Sequence, residues 1–227
     1  MRKLFLFSVV LLLSVSTLVA QDDVGTPVST DSGNIPETGD VLIEITGTPF
    51  EGASLLNFGS FRARFFVSDK VVPRLGVTMN ASNDQTTPDI ATNLTEYTAM
   101  PGVEYHLTQE GSFRSYAALD VIVGQRFASL ESISGASVDG STQAPSGNNF
   151  NFSDARRGYF QIGGNLSVGA DYHFSSRFYI GTEIGFSYVR TMYSDVTVDG
   201  ELYQTGTSTN TGILNTINTF RIGFKLL

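Results

Sequence analysis

Residues 160–189 read FQIGGNLSVGADYHFSSRFYIGTEIGFSYV, and their side chains alternate in character with a period of two. In the first arm, apolar positions such as Ile162 and Leu166 alternate with small or polar ones such as Asn165. A turn at 175–177 follows, and the alternation then resumes. Each arm runs about a dozen residues, more than the roughly 9–11 that a tilted strand needs to cross a bilayer. The stretch therefore predicts a hairpin of two membrane-spanning strands whose apolar side faces lipid.

The start of the chain has the pattern of an export signal that is removed from the mature protein. Arg2 and Lys3 form a charged start, an apolar run continues to Leu18, and Ala20 supplies a cleavage point. A retained transmembrane helix is the alternative, but the apolar run is short for one. We therefore expect a signal peptide over 1–20.

Residues 21–39 are polar, acidic and rich in Gly and Pro, a composition typical of a disordered linker. We expect this linker on the periplasmic side of a barrel domain that fills 40–227. The formal charge of -8 falls to -10 when Arg2 and Lys3 are removed with the signal, and the pI of about 4.7 argues against a nucleic-acid partner. The chain has no Cys, so it has neither a disulfide nor a cysteine for lipid attachment.

Beyond the signal, no apolar run is long enough for a helix to span lipid. Because backbone groups in hydrocarbon must be paired, a membrane protein built from this chain has to be a closed barrel. The alternation predicts an all-β fold, a closed eight-stranded antiparallel up-and-down transmembrane β-barrel. The expected strands are 41–49, 55–66, 71–81, 94–107, 112–128, the two arms of the hairpin in 160–189, and 213–227.

The connections between these strands alternate in length. The short ones are 67–70, 109–111 and 175–177, and the longer ones are 50–54, 82–93, 130–156 and 194–211. Short turns at one rim and long loops at the other are typical of outer-membrane barrels. Pro101 lies inside the fourth strand, where it removes a ladder donor, so we expect a bulge or a broken pair there.

Several motifs in a fixed order carry a family resemblance: TPF at 48–50, RARFFVSDK at 62–70, RLG at 74–76, PGVEYH at 101–106 and GADYHFSSRFYIGTEIGF at 169–186. With them the chain resembles the outer-membrane protein A type of eight-stranded barrel, within the outer membrane protein beta-barrel domain family of Gram-negative bacteria. The resemblance covers about 41–227 and implies fold and location rather than a specific activity. The chain ends in Lys225-Leu226-Leu227 instead of the aromatic residue that such barrels often present to the insertion machinery, and Phe220 and Phe224 are candidates to replace it.

Charged residues gather on the face opposite the lipid-facing one. The interior of an eight-stranded barrel is just filled by side chains, so charges there lose water and must be paired and hydrogen-bonded, which suits the planar fork of Arg. We predict a lumen ion-pair network of Glu44, Arg62, Arg64, Arg74, Glu104, Asp120, Asp171, Glu183 and Arg221. We interpret it as a salt-bridged plug that closes the barrel and fixes register. The alternative is a gate whose pairs re-form to pass ions or small solutes.

Aromatic residues on the lipid-facing side gather at two levels, as amphipathic rings do at bilayer interfaces. Near the short-turn end they are Tyr105, Phe113, Tyr172, Phe174, Phe178 and Phe224, and near the long-loop end they are Phe127, Phe160 and Tyr188. We predict that they form an interfacial girdle. Arg190 lies just beyond Tyr188 on the same face and either meets lipid phosphate or is a solvated charge.

The sequence argues against an enzyme. Barrel enzymes of the outer membrane place a His with Ser or acidic partners near the outer loops, whereas His106 and His173 map to the periplasmic rim, where we interpret them as lumen hydrogen-bonders. No zinc spacing or phosphate-binding Gly loop occurs. An acid-only or calcium-dependent loop site stays open, with no diagnostic spacing, among Asp139, Asp154, Asp195 and Asp199.

The sequence thus predicts a monomeric, non-enzymatic barrel in the outer membrane of a Gram-negative bacterium, with extracellular long loops and with no cofactor or metal. Its expected partners are outer-membrane lipid, lipopolysaccharide and the outer-membrane insertion machinery. We expect a structural or surface-interaction role. A narrow gated channel and a loop-borne adhesin or receptor are the alternatives.

Overall fold

The computed structural model describes residues 35–47, 60–145 and 151–226, and these residues form antiparallel strands with one short 3-10 helix at Asp154–Arg156. No helix in these ranges is long and apolar enough to cross a lipid bilayer. The strands are β1 (Val41–Gly47), β2 (Ser60–Phe65), β3 (Val71–Thr87), β4 (Ile90–Glu110), β5 (Phe113–Ser132), β6 (Val138–Asp139), β7 (Tyr159–His173), β8 (Phe178–Tyr193), β9 (Val196–Val198), β10 (Glu201–Gln204) and β11 (Ser208–Lys225).

Eight of these strands close into a ring. Each pairs with the next in the order β1, β2, β3, β4, β5, β7, β8, β11, and β11 pairs with β1. Paired residues followed once round the ring lead from Asn210 on β11 to Ile222 on the same strand, twelve residues further on. An irregularity between Asn215 and Thr219 contributes to this stagger. A staggered closed ring requires strands that tilt relative to its axis.

The two faces of the ring differ in the way that the period-two alternation predicts. Outward side chains are apolar and stay accessible, since Leu166 is 63% exposed and Phe186 is 50% exposed. Inward side chains are charged and closed off, since Arg64 and Glu104 are fully buried. This distribution is the inverse of a water-soluble protein, where charged residues are almost never fully buried unless paired.

Turns at 67–70, 111–112 and 174–177 define what we call the short-turn end of the ring. The opposite, long-loop end differs from the sequence prediction. The expected loop at 82–93 is instead a continuation of β3 and β4, joined by a turn at Pro88–Asp89. Side chains of 81–89 are exposed on both faces, so the alternation that identifies a strand stops there although the pairing continues.

The loops expected at 130–156 and 194–211 also carry structure. At the end of β5, β6 pairs with β5, β9 with β6 and β10 with β9, and β11 already begins at Ser208. A buried apolar cluster of Leu130, Val138, Phe152, Val196 and Val198 holds these segments together. We refer to the described residues of 133–158 and 194–207 as the cap. Its strands are only two to four residues long, too short to show a periodicity in the sequence.

Pro101 interrupts one ladder and leaves the other intact. On the β5 side the pairing passes from Ala99–Val123 to Gly102–Asp120 in unchanged register, which is a broken pair without a bulge. On the β3 side Pro101 remains paired with Leu75. A Pro has no N–H to donate, so only one of the two neighbouring strands can lose a backbone hydrogen bond at this position.

Residues 35–39, the last part of the expected linker, lie against the short-turn end. The backbone N–H of Gly39 donates to Phe66 O at 2.7 Å, and Pro36 O accepts from Arg114 at 2.7 Å. Next to them Asp40 pairs with Lys225. A buried guanidinium needs an acceptor, and the linker supplies it. The signal peptide, the rest of the linker, the loop at 50–54 and the expected strand ends at 48–49 and 55–59 lie outside the described residues.

Candidate functional site

An ion-pair network crosses the interior of the ring. Arg74 on β3 lies 2.9 Å from Glu183 on β8, and Arg64 on β2 lies 2.7 Å from Asp171 on β7. In each case the two strands are four places apart in either direction round the ring. Both ion pairs therefore reach from one side of the interior to the opposite side.

Arg64 lies at the centre of the network. Its Nη1 donates to Glu44 Oε1 at 3.1 Å and to Asp171 Oδ2 at 2.7 Å, and its Nη2 donates to Glu104 Oε2. Three carboxylates from β1, β7 and β4 thus share one guanidinium. Charge-assisted hydrogen bonds of this kind are roughly twice as strong as neutral ones.

Arg74 brings Asp120 into the same network. Its Nε and Nη2 donate to the two carboxylate oxygens of Asp120, each at 2.6 Å, and its Nη1 donates to Glu104 at 3.1 Å and to Glu183 at 2.9 Å. The paired contact to Asp120 is the bidentate geometry that distinguishes Arg from Lys. Asp120 belongs to the network predicted from the sequence, and Arg74 is the arginine that holds it.

Arg221 and Arg62 complete the network. Arg221 donates to Asp171 at 2.9 Å and to Glu183 at 3.2 Å, and Arg62 donates to Glu183 at 3.0 Å. All nine residues of the predicted network are brought together, and eight are buried, the exception being Arg62 with a side chain 12% exposed. The charged groups at this level are therefore bonded to one another and almost completely shielded from solvent.

Two tyrosines that the sequence prediction did not include also belong to the network. Tyr116 Oη donates to Glu183 Oε2 at 2.8 Å, and Tyr179 Oη donates to Glu44 Oε1. Both rings lie against the Arg64 guanidinium, with centroids 5.3 and 5.6 Å from its Cζ, a cation–π geometry. Their inward positions in the period-two pattern are the signal that could have found them.

Glycines on neighbouring strands make room for these rings. A Cβ built at Gly169 on β7 would overlap the phenol of Tyr116, and one at Gly223 on β11 would overlap the ring of Tyr179. Each tyrosine thus occupies a slot that only glycine leaves open. In the sequence these glycines are recognisable as small strand positions, but the rings that they accommodate are not.

Both histidines are buried on the short-turn side of the network. His106 Nε2 lies 3.3 Å from Glu104 Oε2, and its ring stacks on Tyr116 with centroids 5.8 Å apart. His173 stacks on Tyr179 with centroids 4.7 Å apart. An apolar cluster of Leu42, Phe66, Val72 and Tyr179 is buried at the same end. The histidines therefore belong to the packed interior, away from the cap.

The nine aromatic residues of the predicted girdle point outward from the ring. Eight of them are between 38% and 57% exposed, and Phe224, which is half-buried, packs against Phe178 with centroids 5.2 Å apart. Three further outward aromatic side chains are exposed to a similar degree but were not included in the prediction: Phe61, Phe65 and Tyr97.

The four loop aspartates considered as a possible calcium site serve as local acceptors. Asp139 accepts from Gly140 N at 2.9 Å, Asp195 from Gly206 N at 2.7 Å and Asp199 from Ser137 N at 2.9 Å, while Asp154 pairs with Arg157 at 3.2 Å. Within the described ranges no group of three or more His, Cys, Asp or Glu residues could hold a metal ion.

Arg157 ties the two loops of the cap together. It is fully buried, and its Nη2 donates to Ser194 O at 2.6 Å and to Thr205 O at 3.0 Å. Beside it, a cavity of about 430 Å³ opens between the β3–β4 hairpin and the cap, with Asp84, Arg156 and Leu130 among its lining residues. The long-loop end thus has an ordered surface that contains a concave site.

Comparison with known proteins gives one family. The sequence model of a family described as "Putative OmpA-OmpF-like porin family" matches residues 45–226. No curated protein matches the sequence.

Among solved structures the chain is similar to three outer-membrane proteins. The N-terminal β-barrel domain of OprF from Pseudomonas aeruginosa is 16% identical over 84% of this chain and 100% of that chain, with a TM-score of 0.39. The outer membrane protein OprG from Pseudomonas aeruginosa is 10% identical over 86% and 99%, with a TM-score of 0.44. The attachment invasion locus protein Ail of Yersinia pestis is 12% identical over 82% and 94%, with a TM-score of 0.36.

Proposed function

Since the chain belongs to the putative OmpA-OmpF-like porin family, we propose that its ring is an eight-stranded transmembrane β-barrel in the outer membrane of a Gram-negative bacterium. The long-loop end faces the outside of the cell and the short-turn end faces the periplasm. The interior is plugged by the ion-pair network. The protein is non-enzymatic and has a structural or surface-interaction role.

The ion-pair network is the observation that supports a closed interior. Its five carboxylates and four guanidinium groups join opposite walls and are almost completely shielded from solvent. A solute could pass only by separating several buried ion pairs at once, and breaking even one such pair is costly. A plug is therefore favoured over a freely open pore.

The exterior supports the membrane assignment. Strands β7 and β8 run 15 and 16 residues, longer than the roughly 9–11 needed to cross a bilayer. Their outward faces are apolar, and the outward aromatic residues match the girdles of outer-membrane barrels. Outer-membrane lipid, lipopolysaccharide and the insertion machinery are the partners that this placement requires.

Conductance of the folded protein tests the plug. We expect protein folded into lipid vesicles to show heat-dependent gel mobility, and planar-bilayer recordings of the same material to stay silent. The double variant Arg74→Ala with Glu183→Ala, which removes one diametric pair, is expected to raise the leak. Steady unitary steps from the unaltered protein would instead support the gated channel.

A loop-borne adhesin or receptor is the second candidate, and the cap favours it. A buried apolar cluster and the Arg157 contacts give the long loops a defined shape, and a cavity opens beside them. Deletion of 131–155 is expected to abolish the binding of protein-producing cells to a surface. Insertion of the shortened protein into the membrane should be kept, and heat-dependent gel mobility measures it. Binding that survives the deletion would exclude residues 131–155 as the receptor segment.

A further inference from the structure

The outward surface of the ring has a groove centred on Gly164. The groove has a volume of about 570 Å³ and is bounded by Leu119, Ile162, Leu166 and Phe186. At its centre Gly164 has no side chain, and a Cβ built there would meet only Asp120 O at 3.7 Å. The depression is therefore open space above the strands, with apolar walls.

A cation lies at the long-loop end of this groove. Ile162, at the edge of the groove, pairs with Arg190 on β8, which is exposed and points outward like its partner. The only hydrogen bond of the Arg190 side chain among the described residues is to Ser208 Oγ at 3.5 Å, the limit for such a bond. Its guanidinium is therefore available to another acceptor.

The surroundings of Arg190 suit an anionic group. The outward positions that precede it on β8 are uncharged: Phe178, Ile180, Thr182, Ile184, Phe186 and Tyr188. On β11, Asn210 pairs with Arg190 and presents an amide on the same face, next to the Ser208 hydroxyl. No acidic residue occupies the paired positions on β7 or β11. The guanidinium, amide and hydroxyl together offer several donors to phosphate oxygens.

We propose that the groove and Arg190 form a binding site for lipid A, the phosphorylated, acylated glycolipid of the outer leaflet. One acyl chain lies along β7 from Ile162 to Leu166, a length of about 13 Å at the strand rise, and a phosphate binds Arg190. This inference rests on the proposed function, because it needs the long-loop end to face the outer leaflet.

The groove runs in the direction that a lipid acyl chain has in one leaflet of a bilayer. Arg190 lies at the level of the aromatic residues near the long-loop end, and the groove runs from there toward the middle of the ring. An acyl chain seated in it would point toward the bilayer centre, with its headgroup at the interface. Guanidinium groups bind phosphate bidentately, which gives the site a preference for a phosphorylated headgroup.

Native mass spectrometry of the folded full chain with lipid A tests the site. The Arg190→Gln variant is expected to bind lipid A about fivefold more weakly, the effect of one cation near an anionic lipid surface. Gly164→Leu, whose Cβ would meet only Asp120 O at 3.7 Å and whose side chain occupies the groove, is expected to weaken binding as well. Matched controls are Arg177→Gln, in a turn at the other end of the ring, and Ala63→Leu, which adds an outward leucine on β2, four places from β7 round the ring.

Lipid specificity separates the possible sources of phosphate. Dephosphorylated lipid A is expected to bind weakly, and equally, to the unaltered protein and to Arg190→Gln. Phosphatidylglycerol that binds as tightly as lipid A would overturn the assignment to the outer leaflet. Equal lipid A binding by Arg190→Gln and Arg177→Gln would overturn the site. Heat-dependent mobility of the same samples reports on insertion, so a failed barrel is distinguished from a failed lipid site.

Discussion

At the scale of single residues, Glu104 shows what a buried charge requires in this ring. It is fully buried and receives hydrogen bonds from Arg64 and Arg74, with His106 beside it at 3.3 Å. An isolated carboxylate would not tolerate this environment, because its lost hydration must be replaced by partners. The charge is kept because opposite charges converge on it from two other strands.

Replacement of Glu104 by Ala is expected to lower the free energy of unfolding by about 3–5 kcal/mol, since removing one partner leaves a buried charge uncompensated. Urea unfolding in lipid vesicles measures this. Glu201→Ala, an exposed change on β10, is the matched control and should leave the midpoint unchanged. An unchanged midpoint for Glu104→Ala would show that the network does not stabilise the ring.

The glycine slots give a second prediction at this scale. Gly223→Ala is expected to cost about 1–3 kcal/mol, because the new methyl group overlaps the ring of Tyr179 and forces a shift. Gly164→Ala is the control, since its Cβ meets only Asp120 O at 3.7 Å. Equal unfolding free energies for the two variants would contradict the slot.

Single residues also determine how much of the ion-pair network could be predicted from the sequence. The nine charged members of the network occupy inward positions of the period-two pattern, so alternation alone collects them. Tyr116 and Tyr179 were not predicted to belong to the network, because a tyrosine is equally suited to an interfacial girdle and to a buried polar interior. The pairing of particular residues, such as Arg74 with Asp120, depends on strand stagger, which local alternation does not contain.

At the scale of elements, the ring strands follow from the sequence better than the cap does. Alternation identifies β7 and β8 over most of their length because each has one apolar outward side and one small or charged inward side. It fails for the outer part of β3, where both faces are exposed. It also fails for β6 and β9, which are too short for a period and depend on contacts between distant segments.

Phe152 tests whether the cap folds as a unit distinct from the ring. Phe152→Ala removes a buried ring from the apolar cluster and is expected to cost about 3–5 kcal/mol of cap stability. Hydrogen exchange should then speed up in β6, β9 and β10 while β7 and β8 stay protected. Ile133→Ala, at a side chain 83% exposed, is the control. Unchanged exchange in β9 would contradict a cap held by this cluster.

At the scale of the whole molecule, closure of the ring and the interior network support each other. The stagger of paired residues determines which inward side chains share a level, and the ion pairs join strands on opposite sides. A one-residue slip of any strand would reverse its faces, turning charges outward and placing apolar groups among the ions of the interior. The charged interior therefore favours a single register of the strands.

The absence of Cys from the chain allows a direct test of this arrangement by single-cysteine spin labelling along β8 in lipid vesicles. Labels at Ile184, Phe186 and Tyr188 should collide with oxygen dissolved in the bilayer, while a label at Ser187 should be shielded both from oxygen and from a water-soluble nickel chelate. A period of two in these accessibilities is the predicted result. Labels at Ile184 and Phe186 that respond to the nickel chelate, or four positions that respond alike, would contradict an apolar exterior around a charged interior.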